Sequence, residues 1–178
     1  MAIDMKEAIA EAARILLLEK KVRKLTVKDI VEECHITRQT FYYHFEGIPE
    51  LFRWIMEKDS KRLMEQCLAR EDEESALKYL LTVAIGLRPY VEIGVQTNYG
   101  KELAQLLIEF IYGFFEQLME RTGRYAHLSY SERKFVLRYH SGAIIGILQS
   151  WTKEDTENLD EIVHNMHLLL QGKIRPFE

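Results

Sequence analysis

Apolar residues in this chain recur at three- and four-residue intervals almost from end to end, and almost nowhere do they alternate. That spacing lays them along one face of a helix, whereas a half-buried strand needs every second residue apolar. Ile9, Ala12, Ala13, Leu16 and Leu17 are the first such set. Three prolines and nine glycines in 178 residues leave few places for the pattern to break. The fold class expected is all-α. Helices are predicted over 4–19, 27–34, 37–45, 49–70, 75–87, 101–121, 131–152 and 156–171. Pro89, Gly94 and Gly100 predict an irregular or short helical piece between 88 and 100, and "TGRYAHLSYS" (122–131) is the clear loop.

The stretch "TRQTFYYHF", residues 37–45, needs a special account. On a helix, Phe41 and Phe45 stack one turn apart and form a buried stripe. Arg38, Gln39, Tyr42 and Tyr43 then point elsewhere. Two solvent-facing tyrosines beside Arg and Gln suit a surface kept for a flat, charged partner. Ahead of them, Thr26 reads as an N-cap, with Asp29 in the position of a capping-box acid. Only Cys34, His35 and Ile36 separate that short helix from Thr37, which caps the next. A turn so tight needs a left-handed residue, and His35 tolerates that conformation better than most non-glycine types.

Two short helices joined by a tight turn, with a third ahead of them, make a helix-turn-helix. Its second helix fits a major groove, which is roughly 12 Å wide. Arg38 can bridge a guanine edge, Gln39 an adenine edge, and Thr40 a thymine methyl or a phosphate. Tyr42, Tyr43 and His44 offer donors to phosphate oxygens. Lys28 opens the preceding helix, where Thr26 and the free amides offer another phosphate contact.

Charge and composition agree with a DNA-binding segment on a larger helical body. Net charge is −4, but residues 1–45 carry eight bases against seven acids, leaving −5 for 46–178. Five of those bases crowd into "KKVRKLTVK" (20–28), a run that alone describes a solvated loop. Cys34 and Cys67 are too few for a disulfide framework and fit a reducing compartment. The N-terminal residues lack the basic-then-apolar order of a secretion signal, and charged or polar residues interrupt every apolar run before membrane-spanning length. A cytoplasmic location is expected. No P-loop, nucleophile elbow or dinucleotide fingerprint occurs, so no enzyme activity, cofactor or metal site is expected.

"LTVKDIVEECHITRQTFYYHFEGIPELF" resembles the DNA-binding segment of the tetracycline-repressor (TetR) family of bacterial regulators. The resemblance implies that Lys28, Arg38, Gln39, Thr40 and Tyr42 lie near bases. It also implies that Thr26, Thr37, Tyr43 and His44 lie near the DNA backbone. Two departures stand out. His35 replaces the turn glycine, and Glu46 and Ile48 stand where family members commonly carry lysines. A phosphate clamp at the start of the fourth helix is therefore missing, and a lysine at 48 is expected to restore it.

Residues 1–48 are thus read as the DNA-binding domain and 49–178 as a helical bundle that dimerises and receives a signal. A two-fold dimer would set two reading helices about 34 Å apart, one DNA turn, on a palindromic operator. Phe135, Tyr139, Ile144, Ile145, Ile147 and Leu148, then Ile162, Met166, Leu169 and Leu170, face a core or a partner. Ser141-Gly142-Ala143 and Gly146 allow close helix approach. Candidate effector-binding residues are Tyr79, Tyr90, Asn98, Tyr99, Tyr112, His140 and Trp151; a buried aromatic whose polar tip finds an internal partner is the plainer account of each. The family implies a repressor released by a small-molecule effector.

"FRWIMEK" (52–58) and "RYHSGAIIGILQSW" (138–151) resemble a branch of the family that contains an activator of dihydroxyacetone-kinase genes. That resemblance keeps a second function open: an activator controlled by a regulatory protein. A protein-binding module that has lost its DNA affinity is a third.

Overall fold

In the computed structural model, which describes residues 4–174 apart from the Tyr90 side chain, helices start where the sequence supplies caps. Asp4 accepts from the Lys6 amide and opens α1 (Met5–Leu18). Thr26 and Asp29 close a reciprocal capping box on α2 (Val27–Glu33). Thr37 accepts from the Thr40 amide at 3.1 Å and starts α3 (Arg38–His44). The turn between them sets His35 at φ 55°, as the missing glycine required. Longer helices follow: α4 (Ile48–Leu68), α5 (Glu73–Val95), α6 (Gly100–Thr122) and α7 (Tyr130–Ser150). The chain ends in α8 (Lys153–Glu157) and α9 (Leu159–Leu170). No strand occurs among the described residues, and no helix among them is long and apolar enough to cross a membrane.

Two local expectations are corrected. Pro89 does not end α5, which runs on to Val95. A proline inside a helix removes one N–H and clashes with the carbonyl four residues back, at a cost of about 3 kcal/mol. The helix nonetheless continues through it, with Leu81 before it and Gly94 after it both buried. The helix expected over 156–171 is preceded by α8, because Thr152 and Asp155 form a capping box of their own.

The described residues up to Asp59 pack with Leu87–Phe110 as one compact unit. Its core joins Ile9, Ala13 and Leu16 of α1, Ile30 of α2, Phe41 of α3, and Leu51 and Phe52 of α4. Leu103 and Leu106 of α6 belong to the same core. Ion pairs from Arg14 to Asp59 and from Lys58 to Glu7 tie α1 to α4 across its rim.

The second unit comprises Ser60–Gly86 with the described residues from Ile111 onward. Leu77 and Leu81 of α5 meet Ile144 of α7 and Val163 and Met166 of α9. Met64 and Cys67 of α4 pack on Phe114 of α6. Burial pushes the Cys67 thiol up, which keeps it protonated and unreactive.

One polar atom in this unit is anomalous. The Ser141 hydroxyl on α7 is buried and has no hydrogen-bond partner. A buried group left unpaired forfeits its hydration without recompense. Ser141→Ala is therefore expected to stabilise the protein by about 1–3 kcal/mol. A raised urea midpoint with unchanged slope is the result to look for; a lowered midpoint means the hydroxyl is satisfied in solution.

Candidate nucleic-acid interface

The candidate reading surface is built on a seven-residue helix, α3, too short to be stable alone. Its inner face is sealed. Phe41 is 0% and Phe45 1% exposed, their ring centroids 5.9 Å apart, and Trp54 of α4 stands edge-on to Phe45. That burial leaves α3 one orientation. Its outer face then carries Arg38, Gln39, Tyr42 and Tyr43, all exposed. Tyr42 is 57% and Tyr43 84% exposed. Neither Arg38 nor Gln39 bonds to another described residue, so their donors face outward unused.

The remaining candidates sit close by but are partly engaged. Thr37 and Thr40 share a hydroxyl–hydroxyl bond of 2.9 Å, which spends one donor between them. His44 is half-buried with its ring against Tyr43. Lys28 lies 3.7 Å from Glu32, one turn on, with both side chains well exposed; such a pair opens readily for a phosphate. Thr26 differs from what its position suggests. Its hydroxyl donates to Asp29 at 2.6 Å, so a phosphate at the start of α2 would meet backbone amides, with the Asp29 carboxylate beside it.

Residues 9–55 match the model of the tetR family of bacterial regulatory proteins, and 88–172 match a transcriptional regulator C-terminal region. The chain is similar to the tetR family over that N-terminal segment. Alignment with the HTH-type dhaKLM operon transcriptional activator DhaS of Lactococcus lactis subsp. lactis (strain IL1403) gives 27% identity over 99% of this chain and 94% of that protein. The solved structure of a dihydroxyacetone kinase operon activator DhaS shares the fold, with a TM-score of 0.64 and 23% identity over 99% of each chain. The proteins that this chain resembles along its length are transcriptional regulators rather than enzymes.

The two residues that depart from the tetR-family pattern are not equivalent. Ile48 is 1% exposed, at the start of α4 and in the core of the DNA-binding unit. A lysine there would bury a charge against Leu51 and Phe45, so the expected restored clamp at 48 is corrected: that substitution tests packing, not phosphate contact. Glu46 is exposed and is the position to change. Glu46→Lys is expected to strengthen binding to any DNA and to steepen the salt dependence of log K by about one unit. An unchanged slope would place residue 46 away from the phosphates.

The effector candidates are spread over both units. Tyr99 stacks edge-on to Phe52, 6.3 Å between centroids, in the first unit. Asn98 belongs to the same unit and bonds to the backbone of Leu25. Tyr90 lies on α5, its side chain outside the described residues. In the second unit, Arg70 covers the Tyr79 ring at 4.3 Å, and Tyr112 is half-buried on α6. Trp151 is buried with its Nε1 donating to Thr156 at 2.9 Å. His140 meets the Tyr125 hydroxyl at 3.1 Å; burial, with Arg124 nearby, holds its imidazole below the ordinary histidine range. The six whose side chains are described line neither the open depression beside Leu128, Ser131 and Phe135 nor the one beside Asp72, Lys78 and Asp160.

Proposed function

We propose that this regulator binds a palindromic operator as a homodimer, inserts α3 into the major groove and activates transcription. One observation carries the DNA-reading part. α3 buries Phe41 while presenting Arg38, Gln39, Tyr42 and Tyr43, a face that makes little sense in water and good sense against base edges and phosphates. The similarity to the DhaS activator, over 99% of this chain, supports activation over repression. The input is a small molecule or a regulatory protein, and the DNA places the protein in the cytoplasm.

The dimer face proposed is on α7. Phe135 is 70% and Tyr139 65% exposed, one turn apart. Gly142 and Gly146 continue that stripe, and a β-carbon at either would touch nothing. Bulky apolar side chains followed by a flat patch suit a second copy of the same helix, packed at about 8–10 Å between axes.

Two readouts test this function. The protein should sediment at twice its chain mass of 21.0 kDa, and Tyr139→Glu should return it to the monomer. Deleting the gene should lower transcripts of the operon it binds. Raised transcripts would make it a repressor, and a wild-type monomer on DNA would remove the dimer.

A further inference from the structure

Asn98 holds one residue of the main chain at both of its polar ends. Its Oδ1 accepts from the Leu25 N–H at 2.9 Å, and its Nδ2 donates to the Leu25 carbonyl at 3.3 Å. Only this orientation of the amide pairs an acceptor with the N–H and a donor with the carbonyl, so the contact fixes the side chain's sense. The two residues are 73 apart in sequence. Leu25 is fully buried and immediately precedes Thr26, the cap on which α2 begins.

The platform beneath Asn98 is rigid. Thr97, buried beside it, donates its hydroxyl to the Gly94 carbonyl at 2.7 Å and accepts from the Tyr99 amide at 3.3 Å. At Gly100 a β-carbon would stand 2.0 Å from the Val95 carbonyl oxygen, so the α5–α6 turn closes only on glycine. A surface loop without a role has no need of such closure. The turn instead presents one amide side chain to the segment that leads into the helix-turn-helix.

We propose that Asn98 is a positioning residue for DNA recognition: its amide sets the start of α2, and through the short turn the seating of α3. The proposal rests on α3 being the reading helix. It also gives a route for regulation. The α5–α6 turn is where α5, which enters the first unit at Leu87, reverses into α6, which leaves it after Phe110. A displacement of either helix reaches Leu25 through these two hydrogen bonds as well as through the apolar core that Leu103 and Leu106 of α6 share with it.

The test measures affinity of the full chain for its selected operator and for unrelated DNA of the same length. Asn98→Ala should weaken operator binding about tenfold, the worth of two hydrogen bonds, and change unrelated-DNA binding far less. The specificity ratio is the informative quantity. A variant that merely unfolds loses both affinities together, and Thr156→Ala, which removes a hydrogen bond from Trp151 in the second unit, should change neither. Should Asn98→Ala fail to fold, Asn98→Asp keeps the acceptor for the Leu25 amide, turns a carboxylate oxygen toward the Leu25 carbonyl in place of the donor, and should also lower the ratio. Wild-type ratio in a folded Asn98 variant overturns the positioning role. A wild-type protein with no preference for any DNA overturns the reading of α3 itself, and in that case unchanged exchange of the Leu25 amide in Asn98→Ala would overturn the latch as well.

Discussion

Replacing Phe41 by alanine is expected to destabilise the DNA-binding unit by about 3–5 kcal/mol and to abolish operator binding. The ring is 0% exposed and packs with Phe45 inside a core that also holds Ile9, Ile30 and Leu51. Its loss removes the transferred area and leaves a void that backbone from three helices cannot collapse to fill. The magnitude is decisive because a domain of this kind has only about 5–15 kcal/mol in total. A helix of seven residues has no independent stability, so without its anchor α3 has no fixed outer face. Denaturation followed by circular dichroism, beside operator binding on the same sample, measures both. A midpoint within experimental error of wild type would show that α3 is held by something other than Phe41.

Arg38→Ala is the complementary experiment, because it should leave the fold untouched. Arg38 is the first residue of α3, exposed, with no bond to another described residue. Nothing in the protein competes for its guanidinium, and nothing is left unpaired when it goes. A bidentate contact to one guanine is worth about 1–3 kcal/mol of discrimination. Operator affinity should therefore fall by roughly 5- to 150-fold while preference at a single base pair relaxes. A uniform loss over all sequences with a shallower salt slope would move Arg38 from base edge to phosphate. Unaltered affinity would mean α3 is not the reading helix.

The DNA-binding segment was legible because its signals are local. A threonine three residues before an acid, a histidine in a three-residue turn and two phenylalanines four apart each specify geometry within one or two turns of chain. Thr26, His35, Thr37 and Phe41 all took the positions that such arguments assign. Contacts between distant residues were not legible. Nothing around "VQTNYG" announces that Asn98 reaches Leu25, and an exposed amide in a loop is ambiguous until its partner is seen. Ile48 failed differently. Alignment with a family pattern suggested a lysine site, but the side chain at that position turns inward, which depends on where α4 packs. Pro89 was read by its intrinsic preference, and α5 nonetheless runs through it.

Selection of genomic fragments by the purified protein, at low and at physiological salt, tests the central claim most directly. A dimer that reads DNA with α3 should enrich a palindrome with half-sites about one helical turn apart, and should keep it at physiological salt. Enrichment of nothing at either salt, from a folded protein, would contradict the account: Tyr42 and Tyr43 would then face a partner other than DNA.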